Sequence, residues 1–190
     1  MSTRESPSET TATDGADRRV SVLDSALVTF ARFGYRKTSM EDVAKAARIS
    51  RPGLYFLFAS KAELFRAAVV QALEQDLADV TRILGQPERS LRDRLLDSFD
   101  RWAGRYIGPM TRDVATVIEN DPDLLGTIIE TKPRQFEELI TDAVAAELGA
   151  AAAAKIAPTM ISASIGIKHQ VSSRELYLER FAVAVDLLVP

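Results

Sequence analysis

From residue 18 to the C-terminus the apolar residues recur three and four positions apart, and no stretch alternates polar and apolar at a period of two, which predicts an all-α chain. The first helix is predicted over 18–33, with Val20, Leu23, Leu27 and Phe30 on one stripe and Val22, Ala26 and Phe33 beside it. Gly34 ends it, as a glycine just past the last apolar position does. A second, short helix over about 39–46 opens with two overlapping capping boxes, Thr38 with Glu41 and Ser39 with Asp42, and has Val43, Ala44 and Ala47 as its apolar positions. Arg48, Ile49 and Ser50 make a turn with Ile49 as an apolar plug. Pro52 suits a first helical turn, so a third helix starts between Ser50 and Pro52, with either Ser50 or Arg51 as its cap. Leu54 and Phe58 share its buried face, leaving Arg51, Gly53, Tyr55 and Phe56 on other faces.

Ser60 with Glu63 caps a long helix that reaches about Leu84, before Gly85 and Pro87. Further helices are expected at 90–106, broken by Gly108 and Pro109, at 111–119, as a short segment from Asp121-Pro122, and at 133–149, 156–169 and 173–188. The alanine run 150–154 has strong helix propensity and joins or starts a helix. Residues 1–17 lack apolar periodicity and read as a disordered tail. The expected organisation is therefore a tail (1–17), a three-helix helix-turn-helix head (18–66) and a larger helical body (67–190).

Charge changes the picture. The chain carries −3 overall, but residues 18–66 hold ten Lys/Arg against four acids, a net +6, while residues 67–190 hold thirteen against nineteen, a net −6. A small basic head on an acidic body fits a protein of which one end touches phosphates. Two short helices joined by a tight turn, the second dense in Arg and aromatic residues, suggest a helix-turn-helix that reads DNA. Lys61 adds to this: a cation in the first turn of a helix opposes the helix dipole, and a nearby phosphate would explain it.

Enzymatic chemistry finds little to work with. There is no cysteine, the one histidine, His169, sits at a predicted helix end, and no glycine loop is built to cradle phosphate. The same inventory excludes a Cys- or His-clustered metal site, and no cofactor is expected. With no apolar run near 18 residues and no apolar core at the N-terminus, neither a membrane span nor a signal peptide is expected, and the cytoplasm is the expected location.

The segment 18–66 resembles the TetR family of transcriptional regulators. The resemblance rests on Phe33-Gly34-Tyr35, Thr38-Ser39, Val43-Ala44 with Ala47, Ile49-Ser50-Arg51, Leu54-Tyr55-Phe56 with Phe58, and Ser60-Lys61 with Glu63-Leu64, in order and spacing. It implies that the 39–46 helix points its N-terminus at the DNA backbone, with Thr38 and Ser39 on the phosphate side, and that the helix near Arg51 enters the major groove. Tyr55 and Lys61 match backbone-contacting positions, Arg51 and Gly53 lie where base edges are approached, and Ser50, Pro52 and Phe56 complete the DNA-facing set, with Arg48 a secondary phosphate candidate. Leu57 and Gly53 depart from the family's more polar or larger residues there, so base reading leans on Arg51, Phe56 and DNA shape.

The resemblance further implies a homodimer on a palindromic double-stranded operator, most simply a repressor released by a small-molecule effector. A helical ligand-binding or protein-interaction module without DNA binding is the alternative. In the body, Phe99, Trp102 and Tyr106, with Met110 and Phe136, are candidates to line the effector pocket, although a packed core is the favoured reading for any one of them. A dimer interface is expected from Met160, Ile161, Ala163, Gly166 and Ile167 on one helix and Tyr177, Phe181 and Val185 on the last, which is apolar on more than one side.

Overall fold

A computed structural model describes residues 8–107 and 124–189, and every regular element among them is helical. The helices are α1 (Ser8–Phe33), α2 (Met40–Ala46), α3 (Arg51–Leu57), α4 (Lys61–Leu84), α5 (Leu91–Trp102), α6 (Ile128–Leu148), α7 (Ala150–Gln170) and α8 (Arg174–Leu188), with a 3-10 turn at Gly104–Tyr106. The expected helix at 111–119, the Asp121-Pro122 segment and Met110 lie outside the described residues.

The chain divides into two compact units, Met1–Ala72 and Leu73–Pro190, six residues beyond the boundary expected at 66. In the first, α1, α2, α3 and the start of α4 close over Val22, Ala26, Phe30, Val43, Leu54, Phe58 and Phe65, none of them more than 1% exposed. Gly34 takes a left-handed φ of 83° and donates its N–H to Phe30 O at 2.9 Å, ending α1 as its position predicts. The Phe65 ring meets Phe30 edge-on at 5.2 Å and Tyr35 at 4.8 Å, so the loop after α1 is anchored by aromatic packing. α1 starts ten residues earlier than predicted: residues 8–17, read as tail, form its first turns. A run of polar residues can be helical without an apolar stripe, and the expected tail rested on the missing periodicity together with Pro7 and Gly15.

The second unit builds its core from α4's end, α5 and the α6–α8 helices, with Leu95, Phe99, Ile140, Val144, Met160, Tyr177, Phe181 and Val185 wholly buried. α5 stops at Trp102 rather than Tyr106; Ala103 donates to Phe99 O at 2.8 Å and the chain tightens into the 3-10 turn. α6 begins at Ile128, not 133, because Pro133 sits inside the helix and costs a backbone bond without ending it. The alanine run starts α7, after Gly149 closes α6. By length and composition alone α7 is apolar enough to cross a membrane, with a mean hydropathy of 1.4 over its best window. That departs from the expectation from uninterrupted runs, which stop at Lys155, Thr159 and Ser162 while the average passes over them. α7 buries Ala153, Ala157, Met160 and Ser164 in its own unit.

Candidate nucleic-acid interface

Local hydrogen bonding fixes the motif at both ends of its turn. Ser39 caps α2 reciprocally: its Oγ accepts from Asp42 N and Asp42 Oδ2 accepts from Ser39 N at 2.9 Å and from Ser39 Oγ at 2.6 Å. These bonds, the Ser39 hydroxyl first and then its N–H, hold the Asp42 carboxyl below its usual pKa, so the box stays charged into mild acid. At the other end of α2, Arg48 N–H bonds Lys45 O at 3.2 Å and Ile49 N–H bonds Ala44 O at 3.0 Å, the paired closure of a Schellman motif. Its left-handed residue is Arg48, with φ 54°, where glycine is usual.

Ser50, not Arg51, caps α3: its Oγ accepts from Gly53 N at 3.1 Å. A Cβ on Gly53 would come within 3.0 Å of that oxygen, so the glycine accommodates the cap. Leu54 and Phe58 point inward with 0% exposure. Arg51, Pro52, Tyr55 and Phe56 face water, Tyr55 at 43% and Phe56 at 90% exposure, with the Arg51 guanidinium 5.7 Å from the Tyr55 ring centre. Leu57 is half-buried rather than outward, which is why an apolar residue serves there.

Two expected phosphate contacts have other work. Thr38 is only 2% exposed and its hydroxyl donates to Gly34 O at 2.8 Å; it braces the loop from inside and its side chain cannot reach a phosphate. Lys61 has a local explanation after all. Its ammonium donates to Tyr35 O at 3.0 Å and Thr38 O at 3.1 Å and lies 4.6 Å from the Tyr35 ring centre. The cation that opposes its own helix dipole thus ties down the loop carbonyls of residues 35 and 38, and its position no longer argues by itself for a phosphate. One residue escaped the sequence reading: Arg19 donates to Leu57 O at 3.2 Å and stacks 4.3 Å from the Phe58 ring centre, closing the end of α3 from 38 residues away.

Arg36, Lys37, Lys45 and Arg48 are exposed; Lys45 and Arg51 both approach Glu41, at 3.1 and 3.8 Å, in solvent where such pairs contribute little. An open cleft of about 280 Å³ lies apart from α3, between Val28, Phe33 and Ala46.

In the second unit the proposed pocket stripe is packed. Phe136 meets Phe99 edge-on at 5.0 Å and stacks on Trp102 at 4.8 Å, while Tyr106 donates its hydroxyl to buried Asp76, which also receives Arg101 and Arg105. Burial and the Asp76 bond push the Tyr106 phenol well up. Phe99 and Phe136 are buried in the core of this unit, while Trp102 and Tyr106 are half-buried. The expected interface splits as well. Met160, Tyr177, Phe181 and Val185 are 0% exposed within their own unit and cannot face a partner; Ile161, Ala163, Gly166 and Ile167 are half-buried. The outward apolar residues of α7 and α8 are Ile165, Val183 and Leu187, at 56%, 57% and 81% exposure, further apolar positions of the same two helices outside the expected interface set. No group of three acidic or histidine side chains suited to a metal occurs among the described residues.

Residues 22–68 match the family model described as bacterial regulatory proteins, tetR family. The chain is 28% identical over 129 residues to the uncharacterised HTH-type transcriptional regulator YfiR of Bacillus subtilis, covering 65% of this chain and 51% of that one. It is 33% identical over 102 residues to the HTH-type transcriptional repressor ComR of Escherichia coli, covering 54% and 49%. It thus spans about half the length of these curated relatives. Its fold is similar to that of a TetR transcription regulator from Haloarcula marismortui, with a TM-score of 0.72 over 91% of this chain and 96% of that one, at 12% identity. The segment that carries α2 and α3 thus matches the tetR family of bacterial regulatory proteins, and the fold around it is similar to that of solved TetR regulators.

Proposed function

We propose that this chain is a cytoplasmic DNA-binding regulator that acts as a homodimer on a palindromic operator and is released from it by a small-molecule effector. The observation that carries the reading is the outer face of α3. Arg51, Tyr55 and Phe56 stand in solvent on a helix whose cap, turn and C-terminal end are each separately bonded, so the display is held rigid for docking. A net +6 over residues 18–66 suits a phosphate backbone, with Arg48, Arg36 and Lys37 the phosphate-side cations and Arg51 in position to take guanine O6 and N7. Ser39, at the exposed start of α2, keeps its N–H and hydroxyl on Asp42, so its part is to hold the helix end that would face the backbone. Repression is favoured over activation by the likeness to a protein named a repressor.

The dimer is supported by α7 and α8. Ile165, Val183 and Leu187 leave apolar area on the outer sides of two helices whose inner sides already fill their own core, and only 22% of α7's most apolar window is buried. Each subunit then offers one α3 to one half-site, the two a helical turn or more apart. Effector release requires a ligand that prefers the non-binding state.

Selection of genomic fragments by the full chain, followed by gel shift, tests the reading. A recovered palindrome that binds far more tightly than bulk DNA at 0.15 M salt supports it. No fragment above the non-specific level would leave a helical ligand or protein-interaction module instead.

A further inference from the structure

We propose that Phe56 reads the 5-methyl group of thymine in the major groove, so that an apolar contact rather than a second hydrogen bond supplies base selectivity to α3. The inference rests on the DNA-binding reading above and names the base feature that the same surface recognises. Phe56 is 90% exposed, more than Tyr55 beside it, and it contributes nothing to the core. A phenylalanine ring held in water is an unspent apolar surface, and a partner that desolvates it gains the whole of it.

The neighbours of that ring define what the partner offers. Pro52 lies one turn earlier on the same side of α3 and is also exposed, so the two form a short apolar strip. Gly53, three residues before Phe56, has no side chain to shield the ring's N-terminal flank. Outward polar groups on α3 are limited to the Arg51 guanidinium and the Tyr55 hydroxyl; the helix has no Asn or Gln to pair with adenine and no acid to accept from cytosine. Basic residues frame the strip, with Arg51 on the same helix and Arg48 in the turn, inside a segment of net +6, so its occupant is polyanionic as well as partly apolar. Of the major-groove marks, the thymine methyl is the one that an apolar strip recognises.

The test selects duplexes from a randomised library with the full-length wild type and with Phe56→Ala, which removes no core contact. The wild-type winner is then resynthesised with each thymine in turn replaced by deoxyuridine, which deletes the methyl alone. One thymine per half-site should weaken wild-type binding about three- to fivefold on this replacement, the worth of one buried methyl. The thymine-to-uracil ratio should fall to about one in Phe56→Ala and to an intermediate value in Phe56→Leu, which keeps part of the apolar volume. Uracil tolerated at every position by the wild type, or an unchanged ratio in Phe56→Ala, overturns the inference while leaving DNA binding intact. A wild type that enriches no duplex overturns both.

Discussion

At the residue scale, what was legible depended on where the partner lies in the sequence. Arg51, Tyr55 and Phe56 could be assigned to an outer face because Leu54 and Phe58 fix the inner one within a single helix. The roles of Lys61 and Arg19 could not, since their acceptors lie 23, 26 and 38 residues away. By sequence Lys61 reads as a cation placed for a phosphate; the fold puts the Tyr35 and Thr38 carbonyls within its reach. The two roles are separable. Lys61→Ala should destabilise the protein by about 1–3 kcal/mol in urea unfolding, because two carbonyls lose their donor; a change below about 0.5 kcal/mol would show those bonds to be dispensable. If a phosphate also uses the ammonium, the operator's salt slope should drop by roughly one in the same variant. Arg48 makes the opposite prediction. Its left-handed φ costs a side chain about 1–2 kcal/mol, while glycine there adds about 0.5–1 kcal/mol of chain entropy to the unfolded state. Arg48→Gly should therefore raise stability by up to about 1 kcal/mol in the same assay, and a loss of stability would mean that the Arg48 side chain supports the turn. Its effect on operator affinity then reports the value of the charge alone.

At the scale of elements, helix ends marked by side-chain chemistry were legible and those without it were not. Ser90 caps the helix it opens, Ser39, Ser50 and Ser173 are the caps among paired candidates (Thr38 or Ser39, Ser50 or Arg51, Ser172 or Ser173), and Gly34 and Gly149 end theirs. The starts of α1 and α6 were not legible, because the first turns of α1 carry no apolar stripe and Pro133 lies inside α6 rather than at its start. The arrangement that holds α4 to α5 was also invisible. Asp76, on α4, is wholly buried and receives Arg101, from α5, at 2.9 Å and Arg105, from the 3-10 turn, at 2.7 Å, with the Tyr106 hydroxyl as a third donor. Burial outweighs these three attractions and leaves the carboxyl above its ordinary pKa, so the cluster orients its helices more than it stabilises them. Breaking it is another matter. Asp76→Ala leaves Arg105 without its carboxylate and Arg101 with Asp79 alone, each cation about a third exposed. A cost of about 2–3 kcal/mol is expected, below the 3–5 kcal/mol of a fully buried pair because water screens both cations. Thermal unfolding at pH 7 checks it, and an unchanged midpoint would mean that the α4–α5 packing holds without the carboxylate.

At the scale of the whole molecule, composition and periodicity identified the all-α class and the basic head, but could not sort two faces of α8 that are both apolar. Tyr177, Phe181 and Val185 repeat at intervals of four and belong to the inside; Val183 and Leu187 repeat at the same interval and belong to the outside. Nothing in hydrophobicity distinguishes the two rows. What distinguishes them is which row α5 and α7 cover first. The outer row carries the assembly prediction. A two-fold contact brings each residue near its own copy or that of a close neighbour, so a charge introduced there is buried opposite a like charge. On the proposed two-fold contact, Val183→Glu with Leu187→Glu should weaken self-association at least a hundredfold, about 2.7 kcal/mol, and give a monomer in sedimentation velocity at micromolar concentration, where the wild type is expected to be a dimer. Both side chains are more than half exposed in the single chain, so helix content and unfolding of the monomeric variant should stay close to those expected for the fold. The monomer keeps α3 intact and loses the second half-site, so operator affinity should fall towards the non-specific level while its residual binding retains a salt dependence. A variant that remains dimeric would move the interface away from α7 and α8. A monomer that still binds the operator tightly would instead show that one head suffices, and with it the palindromic arrangement would fail.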